Sequence, residues 1–185
     1  CELMYMYDNL FDEYGITVAQ ILLTKATIEN ERKKNVENTF KKLLEANVIP
    51  IVNENDTVAI DELELEIGEN DSLSAIVASL AKADLLIILS DIDGQYSSDP
   101  HKSDNARLIP VVTEISSYIE NIAGGSGSNL GTGGMTTKIN AGKIATESGI
   151  DMVIMNGANP ERLYDLFEDK SVGTLFLAPT PQEQL

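Results

Sequence analysis

The sequence has few basic residues and no tryptophan. Thirteen Lys and Arg residues stand against thirty Asp and Glu residues, so the formal net charge is −17 at pH 7. A protein that binds DNA or RNA needs a basic surface to neutralise phosphates, and this composition excludes that class for the chain. Aromatic residues make up only 5% although 43% of the residues are hydrophobic. A core of Ile, Leu, Val and Ala is therefore expected, which is typical of a parallel sheet between helices.

Cysteine and histidine occur only once each. The single cysteine, Cys1, excludes a disulfide framework within the chain and suits a reducing compartment, so we expect a cytoplasmic location. His101 lies in a polar stretch, where a solvated surface side chain is the simpler interpretation, and catalysis by a serine–histidine pair has little support. The longest apolar run, residues 85–89, is strand-sized, so no membrane association is expected.

Apolar periodicity predicts helices and strands that alternate along the chain. Strands are predicted at residues 16–23, 48–52, 85–89, 152–155 and 173–177. Helices are predicted at residues 3–14, 28–47 and 160–168, from Asn70 onwards, and over about a dozen residues after Gly134. Residues 57–67 alternate weakly and predict a hairpin or a projecting ribbon. The pattern indicates an α/β fold with a mostly parallel sheet, in one domain over residues 1–178 with a tail or linker at 179–185.

Four polar clusters lie where predicted strands end or predicted helices begin. They are residues 53–56, Asn70 with Asp71, Ser90 with Asp91, and the glycine-rich segment at residues 124–134, which precedes a predicted helix. In open parallel sheets, ligands bind beyond the carboxyl ends of the strands. Each cluster alone is equally well explained as a turn or a helix cap, since Asn, Asp, Ser and Gly are the usual residues there. Their joint placement is what favours a binding site.

The glycine-rich segment ends in a pattern that suits an anion. Glycines allow backbone amides to approach a phosphate closely, and the following helix N-terminus adds partial positive charge. A lysine in that first helical turn is disfavoured by the helix dipole unless an anion lies near it. The standard phosphate-binding signatures do not match, and a plain connector remains the alternative. The pattern consists of Gly131, Thr132, Gly133, Gly134, Met135, Thr136, Thr137 and Lys138.

The other clusters differ in what they can bind. Residues 53–56 together with Asn70 and Asp71 combine amide donors with carboxylate acceptors, a mixture that suits an amino acid with its two charges. The stretch from Asp91 to Gly94 has too few oxygen ligands for a calcium loop. No residue of the chain is therefore predicted to be a protein ligand of a metal ion.

Several of these segments resemble the glutamate 5-kinases of the amino acid kinase superfamily. The resemblance covers residues 1–178 in the family's order. Two residues depart from its pattern while keeping the functional group, since Ser90 stands where many relatives have Thr and Glu69 where many have Asp. The matching segments are Ile-Pro-Ile-Val-Asn-Glu-Asn-Asp at 49–56, Gly-Glu-Asn-Asp-Ser-Leu-Ser-Ala at 68–75, Leu-Ser-Asp at 89–91, Gly-Gln-Tyr at 94–96, the segment 131–138, and Ser-Val-Gly-Thr-Leu-Phe at 171–176.

The resemblance implies an αβα sandwich that transfers the γ-phosphoryl group of ATP to the side-chain carboxylate of glutamate, the first step of proline synthesis. It implies that Asp56 and Asn70 bind glutamate, that Lys138 stabilises charge on the transferred group, and that Asp71 orients the lysines. ATP is expected to bring Mg²⁺ with it. The implied ATP-binding residues are Ser90, Asp91, Thr132, Gly133, Gly134, Met135, Thr136, Thr137 and Lys138.

Further expectations concern the whole protein and its alternatives. The resemblance implies a homo-oligomer, either a dimer or a tetramer, and a preceding segment with a glycine-rich loop and a second lysine. Without that segment, the chain alone is expected to be inactive. The alternatives are another amino acid kinase, acting on acetylglutamate or aspartate, and a non-catalytic fragment that binds a nucleotide or an amino acid.

Overall fold

Two compact units make up the chain, Cys1–Leu73 and Ser74–Leu185. The computed structural model describes residues 2–28, 30–55, 70–100, 102–103, 105–124, 134–168 and 170–180. The predicted ribbon at 57–67 and most of the glycine-rich segment lie outside the described residues, as do Asp56, His101, Thr132 and Gly133.

A parallel pair of strands forms the centre of the first unit. Strands β1 and β2 align in register from Thr17 opposite Val48 to Leu23 opposite Glu54. Helix α1 packs on β1 and α3 packs on β2. Leu23 and Phe40 are buried, Phe40 completely. The elements of this unit are α1 (Glu2–Asp12), β1 (Thr17–Leu23), α2 (Lys25–Ile28), α3 (Asn30–Glu45), β2 (Val48–Glu54) and the beginning of α4 (Asn70–Ala81).

The helix predicted at residues 28–47 is confirmed as α3, and a separate short helix, α2, precedes it. A reciprocal pair of bonds closes the first turn of α2: Thr24 N donates to Thr27 Oγ1 at 2.9 Å, and Thr27 Oγ1 donates to Thr24 O at 2.6 Å. A hydroxyl that bonds locally to the backbone is typical of a helix start. The predicted helix at the beginning of the chain is confirmed as α1.

A four-stranded sheet in the order β3-β5-β6-β4 organises the second unit. The pairs β3–β5 and β4–β6 are parallel, whereas β5 and β6 run antiparallel. The expectation of a mostly parallel arrangement is thus confirmed. Strand β4 and helix α5 were not predicted from the sequence. The elements after α4 are β3 (Leu85–Ser90), β4 (Val111–Val112), α5 (Ser117–Ala123), α6 (Met135–Glu147), β5 (Asp151–Asn156), α7 (Arg162–Phe167) and β6 (Thr174–Phe176).

Helices cover both faces of this sheet, because β5 directs apolar side chains to both sides. Met152 and Ile154 belong to a cluster that includes Ile119 of α5 and Ile139 of α6. The alternate residues of β5 belong to a second cluster, with Leu163 and Leu166 of α7 packed against it. Side chains alternate across a strand, so an apolar run without interruption predicts a strand buried on both faces. The result is a sheet between two helical layers, with its core along β5.

Candidate functional site

The carboxyl ends of β3 and β5 lie side by side in the second unit. Ser90 and Asn156 are register partners in this parallel pair. The backbone N–H of Gly157 donates to Ser90 O at 2.8 Å, so the pairing continues one residue past the strand. Ser90 Oγ is 3.1 Å from Asp91 Oδ1, within hydrogen-bonding distance. The structure therefore brings the predicted pair Ser90 and Asp91 together at the sheet edge where α/β proteins bind ligands.

A cluster of polar side chains next to this pair was not predicted. The side-chain amide of Asn156 donates to Asp93 Oδ1 at 2.9 Å, and the Tyr96 hydroxyl donates to Asp93 Oδ2 at 3.0 Å. Asp91 and Asp93 are exposed, whereas Asn156 and Tyr96 are partly buried. A sequence signal did exist for Asn156, because it follows the apolar run 152–155 just as Ser90 follows the run 85–89.

The loop after Asp93 is anchored in the interior. The backbone N–H of Gln95 donates to Thr174 Oγ1 at 2.9 Å, and that hydroxyl donates to Ile109 O at 2.6 Å. Gln95 is only 2% exposed, and its Nε2 donates to Tyr96 O at 2.7 Å. Its Oε1 is a buried acceptor with no hydrogen-bond partner among the described residues. Breaking a hydrogen bond in the interior leaves a polar group there without a partner, which is costly. The bonds of Gln95 and Thr174 therefore hold the end of this loop in place.

The electrostatics of the cluster are visible at Tyr96. Partial burial of the phenol raises the pKa of Tyr96 above its ordinary value of 10.0, and the hydrogen bond to Asp93 and the negative charge of Asp93 raise it further. All three causes favour the neutral phenol over the phenolate. The hydroxyl of Tyr96 therefore keeps its proton, and with it the bond to Asp93, well above neutral pH.

The described part of the glycine-rich pattern begins at Gly134, which caps the N-terminus of α6 without a side-chain bond. Thr137 Oγ1 donates to Gly134 O at 2.7 Å, and Thr136 Oγ1 lies 3.5 Å from Ala123 O. Lys138, in the first turns of this helix, is only 8% exposed. Burial and the positive end of the helix dipole both disfavour a cation there. A phosphate bound at the helix N-terminus would stabilise a cation at this position.

The ends of β1 and β2 form the corresponding edge of the first unit. The backbone N–H of Asn55 donates to Leu23 O at 2.8 Å, which aligns the segments that leave the two strands. Asn53 Oδ1 accepts from the backbone N–H of Glu54 at 2.9 Å. Asn53 is exposed, whereas Glu54 and Asn55 are partly buried. Of the polar cluster predicted after this strand, the described residues Asn53, Glu54 and Asn55 are at its carboxyl end, and Asn53 and Glu54 belong to the strand itself.

Asn70 and Asp71 are the first two residues of α4, as predicted. Asn70 is exposed and Asp71 is partly buried. A carboxylate in the first turn also stabilises a helix through its dipole, so the position of Asp71 agrees with a structural role as well as with a functional one.

The donor set of the described residues does not resemble a dedicated metal site. Within the described ranges, no three His, Cys, Asp or Glu side chains come close enough to hold a metal ion. Mg²⁺ does not require such a cage, because it is usually held by substrate phosphates, waters and one or two carboxylates. Among the described helices, none is long and apolar enough to cross a bilayer.

Comparison with known proteins gives consistent results at the level of sequence. The model of the amino acid kinase family matches residues 2–156. A glutamate 5-kinase of Clostridium perfringens is 55% identical over 181 residues, which cover 96% of this chain and 67% of that protein. A glutamate 5-kinase of Geobacter sulfurreducens is 49% identical over a match that covers 95% of this chain and 47% of that protein. The chain thus spans about two thirds of the first relative and about half of the second.

Solved structures support the same fold at lower identity. The isopentenyl phosphate kinase of T. acidophilum is 21% identical with a TM-score of 0.63, over 95% of this chain and 66% of that one. The carbamate kinase from Giardia lamblia is 18% identical with a TM-score of 0.56, over 76% of this chain and 44% of that one. These likenesses concern the fold alone, and they confirm the predicted α/β class with mostly parallel strands.

Proposed function

Because the chain belongs to the amino acid kinase family, we propose that the protein transfers the γ-phosphoryl group of ATP to the side-chain carboxylate of L-glutamate. The products are L-glutamyl 5-phosphate and ADP, and the reaction is the first step of proline biosynthesis. The observation that carries this proposal is 55% identity to a glutamate 5-kinase over 96% of the chain. Identity of this extent favours the same substrate.

The nucleotide is assigned to the second unit. The proposed ATP contacts are Ser90 and Asp91 at the end of β3 and the segment from Thr132 to Lys138. Support comes from the sheet edge that Ser90 shares with Asn156, from the N-terminus of α6, where the N-cap Gly134 makes no side-chain bond, and from the burial of Lys138 in the first turn of that helix. Backbone N–H groups and a lysine provide what phosphate oxygens need.

Glutamate is assigned to Asp56 and Asn70. The support is chemical: a carboxylate can accept from the ammonium group of the substrate, and an amide can donate to its carboxylate. Asn70 begins α4, where backbone donors also favour an anion. Asp71 and Lys138 are the proposed catalytic residues, Asp71 orienting the lysine side chains and Lys138 stabilising the transferred group.

The chemistry asks for positioning and cations rather than for a general base. The carboxylate of glutamate is ionised at neutral pH and is already a nucleophile. An oxygen of that carboxylate forms a bond to the γ-phosphorus while the bond from phosphorus to the bridging oxygen of ADP breaks. Lys138 is proposed to stabilise the charge that spreads over the transferred oxygens. Mg²⁺ would arrive with ATP and would neutralise part of that charge.

The experiment that tests the proposal uses hydroxylamine, which traps an acyl phosphate as a hydroxamate. The protein that contains this chain, at its full natural length, is assayed with ATP, Mg²⁺ and one of three acceptors: glutamate, aspartate or acetylglutamate. We expect hydroxamate from glutamate and little from the other two. Equal rates with acetylglutamate would favour a different amino acid kinase. Binding of ATP or glutamate without hydroxamate formation would favour a non-catalytic module.

The remaining proposals concern the state of the protein. We infer that it is a cytoplasmic homo-oligomer, dimeric or tetrameric, in which residues 1–178 form an amino acid kinase domain and residues 179–185 a tail or linker. The acidic composition, with a net charge of −17, supports high solubility and is compatible with self-association only through a patch of low charge density. Light scattering after gel filtration measures the oligomeric state directly.

A further inference from the structure

Asn156 ties together the two loops that leave β3 and β5. Its side-chain Nδ2 donates to Asp93 Oδ1 at 2.9 Å and makes a longer contact of 3.5 Å with the backbone oxygen of Asp91. Its Oδ1 accepts from the backbone N–H of Ala158 at 2.9 Å. One amide therefore bonds to the loop after β3 with one end and to the loop after β5 with the other. Both atoms of the amide are used, so its orientation is fixed.

Asp93 extends this connection along its own loop. Its second carboxylate oxygen accepts from the Tyr96 hydroxyl at 3.0 Å. Tyr96 is in turn paired with Leu108 in an isolated antiparallel bridge, and the backbone N–H of Ser97 donates to Arg107 O at 2.8 Å. The five residues from Asp91 to Gln95 are thus held between the end of β5 on one side and this bridge on the other. We call Asn156, Asp93 and Tyr96 the β5 clasp.

We propose that the β5 clasp positions the loop carrying Asp91 for the nucleotide, with Asn156 as the residue on which this positioning depends. The inference rests on the proposed function, since it deepens the assignment of Ser90 and Asp91 to ATP. Asn156, Asp93 and Tyr96 are positioning residues here; the contact with the ligand is made by the residues they hold.

The exposure of Asp93 argues that the role of the clasp is more than stability. Asp93 is exposed, and bonds of exposed charged groups contribute little to the free energy of unfolding. They do restrict a loop that contains no helix or strand between Asp91 and Gln95. If a ligand binds one conformation of a loop, its apparent dissociation constant rises by the inverse of the fraction that has this conformation. Loss of the clasp should therefore weaken nucleotide binding more than it lowers the melting temperature.

The test exchanges the amide of Asn156 and the carboxylate of Asp93, first in one step that adds a charge and then in a double variant that keeps the net charge. Asn156→Asp keeps the size of the side chain but places a carboxylate against Asp93, so the clasp is broken by repulsion. The double variant Asn156→Asp with Asp93→Asn restores one donor and one acceptor in exchanged positions and has the net charge of the wild type. Asn159→Asp is the matched control, because it adds the same charge three residues further along at an exposed position. Tyr96→Phe removes only the second donor to Asp93.

Binding of Mg-ADP by titration calorimetry and the KM values for ATP and glutamate are the readouts. For Asn156→Asp we expect the Kd for ADP and the KM for ATP to rise roughly tenfold, because a hydrogen bond to a charged group is lost. The KM for glutamate should stay within about twofold, since this bond does not touch the residues assigned to glutamate. The double variant should recover most of the lost affinity for ADP and ATP. Tyr96→Phe should raise the Kd for ADP and the KM for ATP by a smaller factor, and Asn159→Asp should match the wild type.

The outcomes separate this inference from the function on which it rests. A wild-type protein that neither binds ADP nor forms hydroxamate overturns the proposed kinase activity. A wild-type protein that does both, with Asn156→Asp unchanged in its KM for ATP, overturns the positioning role alone. The positioning role is also overturned if Asn156→Asp lowers the melting temperature and raises both KM values equally, and if the double variant does not restore them. The bond would then be purely structural.

Discussion

The α-carbon of Gly173 lies directly against the backbone carbonyl of Ile154, with no space for a side chain between them. A Cβ built on Gly173 would overlap Ile154 O and lie 2.9 Å from Met155 Cβ. The backbone of Gly173 is also left-handed, with φ at +69°. Gly173 directly precedes β6, and the next residue, Thr174, is the register partner of Ile154. The glycine therefore allows β6 to approach β5 and to form the antiparallel pair. Strand β5 is thereby flanked by β3 on one side and β6 on the other.

The first prediction concerns this close approach. Gly173→Ala should destabilise the protein by about 3 kcal/mol, because the left-handed conformation disfavours a Cβ and the overlap forces the strands apart. The free energy of unfolding in urea measures it. Gly149→Ala is the matched control, since Gly149 has φ at +78° but nothing within 4 Å of its Cβ position. The control should lose only the conformational part, about 1 kcal/mol. Equal losses in both variants would contradict the steric argument.

The second prediction concerns Lys138. Lys138→Met keeps the stem of the side chain but removes the cation proposed to stabilise the transferred phosphoryl group. We expect kcat to fall by about 10²-fold or more with smaller changes in KM, because this charge matters most in the transition state. The assay is hydroxamate formation from glutamate and ATP.

The control for Lys138 is available on the same helix. Lys143 is also on α6, is more exposed, and forms an ion pair with Glu120 of α5. Lys143→Met should change kcat by no more than about twofold and should cost less than about 1 kcal/mol of stability, as is usual for exposed ion pairs. Near-normal turnover in Lys138→Met would return the glycine-rich segment to the connector interpretation.

Sequence periodicity predicted the long elements and the positions of the polar clusters. Helix α4 follows from the spacing of Leu73, Ile76, Val77 and Leu80, yet its most buried residues include Ala75 and Ala78, whose small side chains give a weak signal. The strand predicted at 85–89 is confirmed, but only Ile88 of β3 is buried, while Leu89 is exposed. Burial depends on which helix covers the sheet, and local periodicity does not contain this information.

The elements that were missed are those with too few residues to show a period. Strand β4 has two residues, and α5 has seven with only Ile119 and Ile122 as marked apolar positions. The antiparallel direction of β6 is defined only by its pairing with β5, whose residues are distant in sequence. The local pattern of β6 therefore does not contain this direction. The bond between Asn156 and Asp93 joins residues 63 positions apart, so the clasp arises only once β3 and β5 are paired.

The third prediction concerns pH. Because burial and Asp93 raise the pKa of Tyr96, the folded state holds the phenolic proton more tightly than the unfolded state does. The resulting stabilisation is fully present below the ordinary pKa of 10.0 and is lost as the pH rises through the folded pKa. Ultraviolet titration of phenolate should show a component that ionises above this ordinary value. That component should disappear in Tyr96→Phe and shift downwards in Asp93→Asn.

A component above the ordinary pKa of 10.0 that persists in Tyr96→Phe, or that does not move in Asp93→Asn, would show that the bond between Tyr96 and Asp93 does not persist in solution.

The fourth prediction concerns Thr174, whose completely buried hydroxyl serves two backbone groups at once. It accepts from the N–H of Gln95 at 2.9 Å and donates to the carbonyl of Ile109 at 2.6 Å. Thr174→Val keeps the shape of the side chain but leaves both groups without this partner, so we expect a loss of about 3 kcal/mol in the free energy of unfolding. Thr174→Ser keeps the hydroxyl and loses one methyl group, which should cost only about 1 kcal/mol.

The difference between these two variants should extend to the nucleotide side. Gln95 follows the loop that carries Asp91 and Asp93, so release of its N–H frees the far end of that loop. Thr174→Val should therefore raise the KM for ATP more than Thr174→Ser does, measured at a temperature where both variants are folded. If the valine variant is as stable as the serine variant, the hydroxyl is not what anchors the loop. If it is less stable but has the wild-type KM for ATP, the anchor contributes to the fold and the β5 clasp alone sets the position of Asp91.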